Sequence, residues 1–156
     1  MATYSIHEVL EQAIRTEQLG NEFYNDMAKR FERDTELNNL FTFLAQQEVQ
    51  HGKTFSEIKA GTEEEEFENW EEVSNYLRAV VESEFFLGKN KSLSSMKNIS
   101  SPLEAVNFAI GFERETILYF LGLKEAVKEK QVIDKIINEE KRHITLLSRY
   151  RSSLSS

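Results

Sequence analysis

Residues 37–58 have the sequence LNNLFTFLAQQEVQHGKTFSEI. Apolar side chains recur in this segment at steps of three and four residues, the spacing of one face of an α-helix, and they are Leu37, Phe41, Leu44, Phe55 and Ile58. In the middle of the same face the segment has Glu48 and His51 instead of apolar residues. Because residues three apart on a helix are neighbours, Glu48-x-x-His51 presents an oxygen and a nitrogen ligand side by side.

Three further segments repeat this pattern of an apolar helical face with a glutamate at its centre. Glu17 interrupts the first face along the chain, Glu113 the third and Glu140 the fourth. The fourth face also carries a second motif of the same kind, Glu140-x-x-His143. The sequence therefore contains the same helical hairpin twice, with a glutamate on its first helix and a Glu-x-x-His on its second.

Helix start signals and connectors define the organisation of the chain. Ser5-Ile6-His7-Glu8 and Ser101-Pro102-Leu103-Glu104 are capping boxes. We predict helices over about residues 6–32, 35–60, 70–87, 102–128 and 132–150, with a turn near Lys128–Gln131 before the last. Short connections within each half and a long crossover between them predict an all-α, antiparallel four-helix bundle of two hairpins. The crossover contains the short helix, and residues 1–156 form a single domain.

The composition excludes several classes of protein. With 6 Gly and 1 Pro, the chain is too poor in turn residues for a β-sandwich or a β-barrel. The net charge of −8 argues against nucleic acid or an anionic membrane as the main partner, since phosphate binding needs excess positive charge. The lack of cysteine excludes disulfides, zinc ribbons and rubredoxin-type iron. The sequence starts without a signal peptide and contains no apolar run long enough for a membrane span, so we expect a cytoplasmic protein.

Glutamates on four apolar faces need a compensating positive charge. Burying an unpaired carboxylate is costly, and four carboxylates in one core repel each other. Two divalent cations would neutralise them, and the two histidines would complete the coordination. A single glutamate on such a face is more simply a solvated or ion-paired residue. Six residues at matching positions favour a dinuclear metal site, and they are Glu17, Glu48, His51, Glu113, Glu140 and His143.

Some other polar residues could support such a site. Three tyrosines are expected to lie in the core or to donate hydrogen bonds to ligands, and they are Tyr24, Tyr119 and Tyr150. Glu84 is either a surface residue or an additional carboxylate from the short helix. Glu115 and Glu139 are close to predicted ligands in sequence, but they point about 100–200° away around their helices, so we exclude both.

These motifs resemble those of the ferritin-like superfamily, and most closely those of the rubrerythrin-like di-iron carboxylate proteins. The resemblance covers residues 5–150, and the matching pieces are Glu17 with Phe23-Tyr24, Glu48-x-x-His51, Phe112-Glu113 with Tyr119-Phe120, and Ile136-Ile137-Asn138-Glu139-Glu140-x-x-His143. Di-iron and di-manganese bundles have the same donor set. The resemblance implies that Glu17 and His51 are terminal ligands of one iron and Glu113 and His143 of the other. It further implies that Glu48 and Glu140 bridge the two ions.

The resemblance also implies an oxidoreductase in which a di-ferrous site reacts with hydrogen peroxide or dioxygen, in an oxidative-stress or iron-oxidation role. Rubrerythrins have a rubredoxin-type domain with four cysteine ligands, which this sequence lacks, so electrons would come from a separate rubredoxin-like protein or flavoprotein. The additional glutamate that rubrerythrins have one turn from the third-helix ligand is also missing, because the corresponding positions are Ile110 and Thr116. A homodimer is expected on the same grounds.

Two other interpretations stay open at this point. The protein could bind or store iron as part of an oligomer or a shell, or it could be a metal-free helical interaction protein, whose melting temperature a chelator would leave unchanged. The metal is open as well. Glutamate and histidine suit iron and manganese alike, so a pair of irons, a pair of manganese ions or a mixed pair would fit.

Overall fold

The computed structural model of the protein describes residues 5–63, 70–81 and 96–154. Within these ranges the helices are α1 (Ile6–Arg30), α2 (Thr35–Ala60), α3 (Trp70–Val81), α4 (Pro102–Lys124) and α5 (Lys130–Ser153). The described residues form no strand, so the prediction of an all-α fold is confirmed. None of the described helices combines the length and the apolar character that crossing a bilayer requires. Two predictions, the extension of the short helix over residues 82–87 and the role of Glu84, lie outside the described residues.

Side-chain caps begin three of the helices. The amide of Glu8 donates to Ser5 Oγ at 3.1 Å, that of Leu37 to Asp34 Oδ1 at 3.0 Å, and that of Glu104 to Ser101 Oγ at 3.2 Å. Each contact satisfies an amide that has no partner within the first helical turn. The capping signals of the sequence therefore correspond to real helix starts at Ile6 and Pro102.

The loop between α4 and α5 lies earlier than the sequence indicates. The first of these helices ends at Lys124 rather than near residue 128, and the second begins at Lys130 rather than at residue 132. The Lys130 ammonium donates to the carbonyls of Lys124, at 2.7 Å, and Val127, at 3.1 Å. The end of α4 is thus satisfied by a side chain from beyond the loop, and no glycine or proline marks it in the sequence.

The helices pack as two hairpins with an apolar core in two parts. Helix α1 packs along α2 and α4 along α5, while α1–α4 and α2–α5 contacts join the hairpins and α3 lies against α4. One apolar cluster includes Leu10, Phe55 and Phe120, and the other includes Phe41 and Leu147. The two clusters occupy opposite ends of the bundle. The layer between them, at mid-length of α1, α2, α4 and α5, contains the glutamates and histidines singled out from the sequence.

The packing of α3 on α4 depends on a glycine. A Cβ atom at Gly122 would lie 2.5 Å from the ring of Tyr76 and 2.8 Å from Leu77. We expect Gly122→Ala to force α3 away from α4 and to lower the free energy of unfolding by about 1–3 kcal/mol, the usual cost of overpacking. Urea denaturation followed by circular dichroism measures this loss. Gly61→Ala is the matched control, since the nearest atom to the added methyl group is the Glu57 carbonyl oxygen at 3.7 Å, an ordinary contact. An equal loss in both variants would contradict the packing argument.

Candidate metal centre

Six polar side chains meet in the layer between the two apolar clusters. Helix α1 supplies Glu17, α2 supplies Glu48 and His51, α4 supplies Glu113, and α5 supplies Glu140 and His143. None of the six residues is more than 2% exposed. The structure thus brings together all six residues that the sequence predicted as metal ligands.

The ligand atoms fall into two overlapping groups. The members of each group offer oxygen or nitrogen atoms within 4.8 Å of one another, and the groups are Glu17, Glu48, His51, Glu140 and Glu48, Glu113, Glu140, His143. Glu48 and Glu140 belong to both. Two adjacent centres with two carboxylates in common are the donor arrangement of a dinuclear site with bridging glutamates.

The two histidines face this layer through Nδ1. His51 Nδ1 lies 2.8 Å from Oε1 of Glu140, and His143 Nδ1 lies 3.3 Å from Oε2 of the same residue. The imidazole rings are 6.0 Å apart and nearly parallel, with an interplanar angle of 19°. Glu140 therefore lies between the histidines and directs one carboxylate oxygen towards each of them.

Most of these atoms lack hydrogen bonds although they are buried. Across residues 5–63, 70–81 and 96–154, ten buried side-chain oxygen and nitrogen atoms have no hydrogen-bond partner, and nine of them belong to the six residues. His51 Nδ1 and Glu140 Oε1 are close but not aligned as a hydrogen bond. Buried polar atoms are normally paired, so a concentration of unpaired ones around one point indicates a missing partner with positive charge. The residues present therefore fit a pair of divalent cations.

Glu139 supports His51 from outside the layer. Its Oε2 lies 2.6 Å from His51 Nε2, which donates the hydrogen bond when the proton is assigned to that nitrogen. This assignment leaves the Nδ1 lone pair directed inwards, as a metal ligand requires. Glu139 points away from Glu140 on its own helix, which predicted that it is not a ligand. It does point away from the layer, but the neighbouring helix α2 brings the outer edge of His51 to it.

Tyr24 and Gly20 shape the site from α1. The Tyr24 hydroxyl donates to Glu113 Oε1 at 2.6 Å, which fixes one oxygen of this carboxylate and confirms Tyr24 as a hydrogen-bond donor to a predicted ligand. A Cβ atom at position 20 would lie 2.9 Å from Glu48 Oε2 and 3.1 Å from the ring of Phe112. Glycine is thus needed for the carboxylate of Glu48 to reach its place. A glycine within a helix, three residues after a predicted ligand, is a sequence signal that could have found it.

The other two tyrosines lie away from the layer. Tyr119 donates to the carbonyl of Val9 at 2.7 Å and is fully buried among apolar side chains. Tyr150 donates to the carboxylate of Asp34, the residue that caps α2. Both are core residues that tie one hairpin to the other.

Burial and mutual repulsion set the protonation of the carboxylates. Burial, with the charge of Glu140, raises the pKa of Glu17, and burial with the charges of Glu140 and Glu17 raises the pKa of Glu48 well above its usual value. For His51, burial lowers the pKa, but the close carboxylates of Glu140 and Glu17 outweigh it and raise the pKa to about 11. Burial also acts to raise the pKa of Glu140, but His143 and His51 hold it below its usual value.

These shifts predict how stability depends on pH when a chelator keeps divalent metal away. The raised pKa values of Glu17, Glu48 and His51 mean that the folded protein retains protons that the unfolded chain releases. The free energy of unfolding should therefore fall as pH rises, first above about 4.5 through the carboxylates and then between about 6.5 and 11 through His51. We expect Glu48→Gln to reduce this slope by up to about 1.4 kcal/mol per pH unit.

Urea denaturation with EDTA from pH 5 to 8 tests this prediction. Glu57→Gln is the matched control, because it removes an exposed carboxylate from the same helix. A wild-type slope that Glu48→Gln leaves unchanged would contradict the raised pKa of Glu48.

Comparison with known proteins agrees with this fold and donor set. The family model of rubrerythrin matches residues 8–151. A crystal structure from Thermotoga maritima, described as a ferritin-like diiron-carboxylate protein, is similar with a TM-score of 0.72 and 25% sequence identity, over 97% of each chain. Comparison with curated proteins gave no match. The resemblance inferred from the motifs is confirmed, and the chain belongs to the rubrerythrin family.

Proposed function

We propose that the protein is a non-haem di-iron oxidoreductase of the cytoplasm that reacts its di-ferrous site with hydrogen peroxide or dioxygen. The observation that carries this proposal is the pair of four-residue groups that share Glu48 and Glu140. The family match and the diiron-carboxylate description of the Thermotoga maritima protein support iron as the metal. Manganese suits the same ligands, so metal analysis is part of the test.

The ligand roles follow the division into two groups. Glu17 and His51 would be terminal ligands of one ion, and Glu113 and His143 terminal ligands of the other. Glu48 and Glu140 would bridge the ions, since they alone belong to both groups. The charges support this assignment, because four carboxylates balance the charge of two divalent ions.

Two ferrous ions, when bound, would supply two electrons, one each, which with two protons would reduce hydrogen peroxide to two water molecules. The chain's own residues prepare the site for this reaction. The apolar clusters on either side shield the layer from bulk water along the bundle axis. The Tyr24 hydroxyl holds Glu113 in place, and burial together with the nearby carboxylate charges raises the pKa of Tyr24 well above its usual value, so the phenol stays a donor. A separate electron donor, a rubredoxin-like protein or a flavoprotein, would return the site to the di-ferrous state, and the active form would be a homodimer.

Anaerobic reconstitution with ferrous iron tests the proposal. We expect about two iron ions per chain and consumption of about one hydrogen peroxide per two ferrous ions, measured by elemental analysis and stopped-flow absorbance. Glu48→Ala/Glu140→Ala should lose both ions, because each ion loses two of its four protein ligands. Glu22→Ala/Glu115→Ala removes the same number of carboxylates outside the layer and should keep them. A Glu48→Ala/Glu140→Ala protein that still binds both ions would contradict the ligand assignment.

The same experiment separates the alternatives. Iron far above two ions per chain, with large particles in light scattering, would favour storage in a shell. A protein that binds no iron and whose melting temperature EDTA leaves unchanged would favour a helical interaction protein, since a ligand that binds only the folded state must stabilise it.

The contact between Glu139 and His51 gives a second prediction. We expect Glu139→Gln to weaken metal binding about 10–100-fold, because the amide orients the imidazole less firmly and lowers its basicity. Competition with a chromophoric chelator measures the affinity, and Glu115→Gln is the control at the other position excluded as a ligand. Equal affinities of Glu139→Gln and wild-type protein would show that the hydrogen bond does not tune the site.

A further inference from the structure

A groove between α1 and α2 runs from the protein surface to the candidate metal centre. It has a volume of about 420 Å³, and its most buried lining residues are Glu17 and Glu48, which are each 1% exposed. Both belong to the first ligand group, and Glu48 belongs to the second as well. The groove therefore ends on one terminal and one bridging ligand of the proposed di-iron site.

The walls of the groove suit a small molecule without charge. Ile14 on α1 and Val49 on α2 face it with aliphatic side chains, and Gly52 adds only backbone. Lys53 and Glu57 bring opposite charges, and the remaining wall residues are uncharged. A path for hydrated cations would be lined by negative charge. The walls of this groove have no net charge, and they carry no cluster of carboxylates above the two at its floor.

Gly52 keeps this groove open although packing does not require a glycine there. An added Cβ atom would meet only Glu17 Cβ, at 3.7 Å, which is an ordinary contact. Glycine weakens a helix interior relative to alanine, and Gly52 lies well inside α2. Gly20 and Gly122 differ, since a Cβ at either position would collide with a neighbour. What glycine provides at position 52 is open space beside Glu17.

The second hairpin has a large residue at the matching position. Gly52 follows Glu48 by four residues, and Ile144 follows Glu140 by four. Ile144 is partly buried and packs against the apolar cluster that includes Phe41 and Leu147. The internal repeat is therefore broken on the α1–α2 side, where the groove reaches the ligands.

We propose that this groove is the access path for the small uncharged oxidant and that Gly52 is the residue that keeps it open. This inference rests on the proposed function and adds to it a side of approach. Hydrogen peroxide and dioxygen are both small and uncharged, as the walls of the groove require. Hydrogen peroxide would take the two electrons of the ferrous pair with two protons and give two water molecules, and dioxygen would take the same two electrons with two protons and give hydrogen peroxide.

The test is to fill the groove without replacing a ligand. Gly52→Leu places a branched side chain in it, and Gln46→Leu adds the same side chain at an exposed position of α2 outside the groove. After ferrous reconstitution, we expect Gly52→Leu to retain both ions and to lose at least about tenfold in the rate constants for hydrogen peroxide and for dioxygen. Gln46→Leu should match the wild type.

A structural readout is independent of the reaction. Crystals of wild-type protein under xenon pressure should show the gas between Ile14 and Val49, because an apolar cavity binds it, and crystals of Gly52→Leu should not. If Gly52→Leu lost iron, Val49→Phe would repeat the kinetic test from the exposed end of the groove, where Val49 is 40% exposed.

The outcomes separate this inference from the proposed function. If wild-type protein binds iron but neither oxidant reacts with it, the proposed function fails, and the access path fails with it. If wild-type protein reacts and Gly52→Leu keeps rate constants within about twofold, only the access path is overturned. Slow ferrous uptake with unchanged oxidation in Gly52→Leu would likewise overturn it, and would assign the groove to metal entry.

Discussion

The repulsion among four buried carboxylates is the constraint on which the rest of this structure depends. Glu17, Glu48, Glu113 and Glu140 lie in one layer with no bulk water to solvate them, and two histidines alone do not balance their charge. A pair of divalent cations balances it completely. The apolar clusters at both ends of the bundle hold the layer together in spite of its cost, and they give the site walls that shield it from solvent. The same few residues thus bind the metal ions and lower the stability of the metal-free fold.

The surroundings of the layer show how individual positions are adapted to it. Tyr24 fixes one oxygen of Glu113, Glu139 fixes the outer nitrogen of His51, and Gly20 provides the room that the Glu48 carboxylate needs. Each acts on a different predicted ligand and comes from a different direction. Together they restrict the freedom of these side chains before any cation arrives, which lowers the entropy lost on binding.

Helical periodicity and two Glu-x-x-His motifs were sufficient to predict the bundle and the six residues that meet at its centre. Such patterns report which face of its own helix a residue occupies. Glu139 was missed because its contact depends on where α2 places His51, and the end of α4 was misjudged because Lys130, beyond the loop, satisfies the last carbonyls. The role proposed for Gly52 was missed for the same reason, since it depends on the space between two helices. Contacts between different helices could not be predicted from the sequence alone, whereas the faces of each single helix could.

The sharing of Glu48 and Glu140 has a consequence for symmetry. The first hairpin supplies three members of the first group and also contributes Glu48 to the second. The second hairpin supplies three members of the second group and contributes Glu140 to the first. The two hairpins thus contribute equivalent residues to each other, as two subunits do at an isologous interface, with an approximate two-fold axis passing between the two shared carboxylates. A chain of half this length, consisting of one hairpin, would complete neither group alone and would complete both by pairing with its own copy. The single chain therefore has the arrangement of a symmetric dimer of hairpins, and the covalent link between the halves permits them to differ, as they do at Gly52 and Ile144.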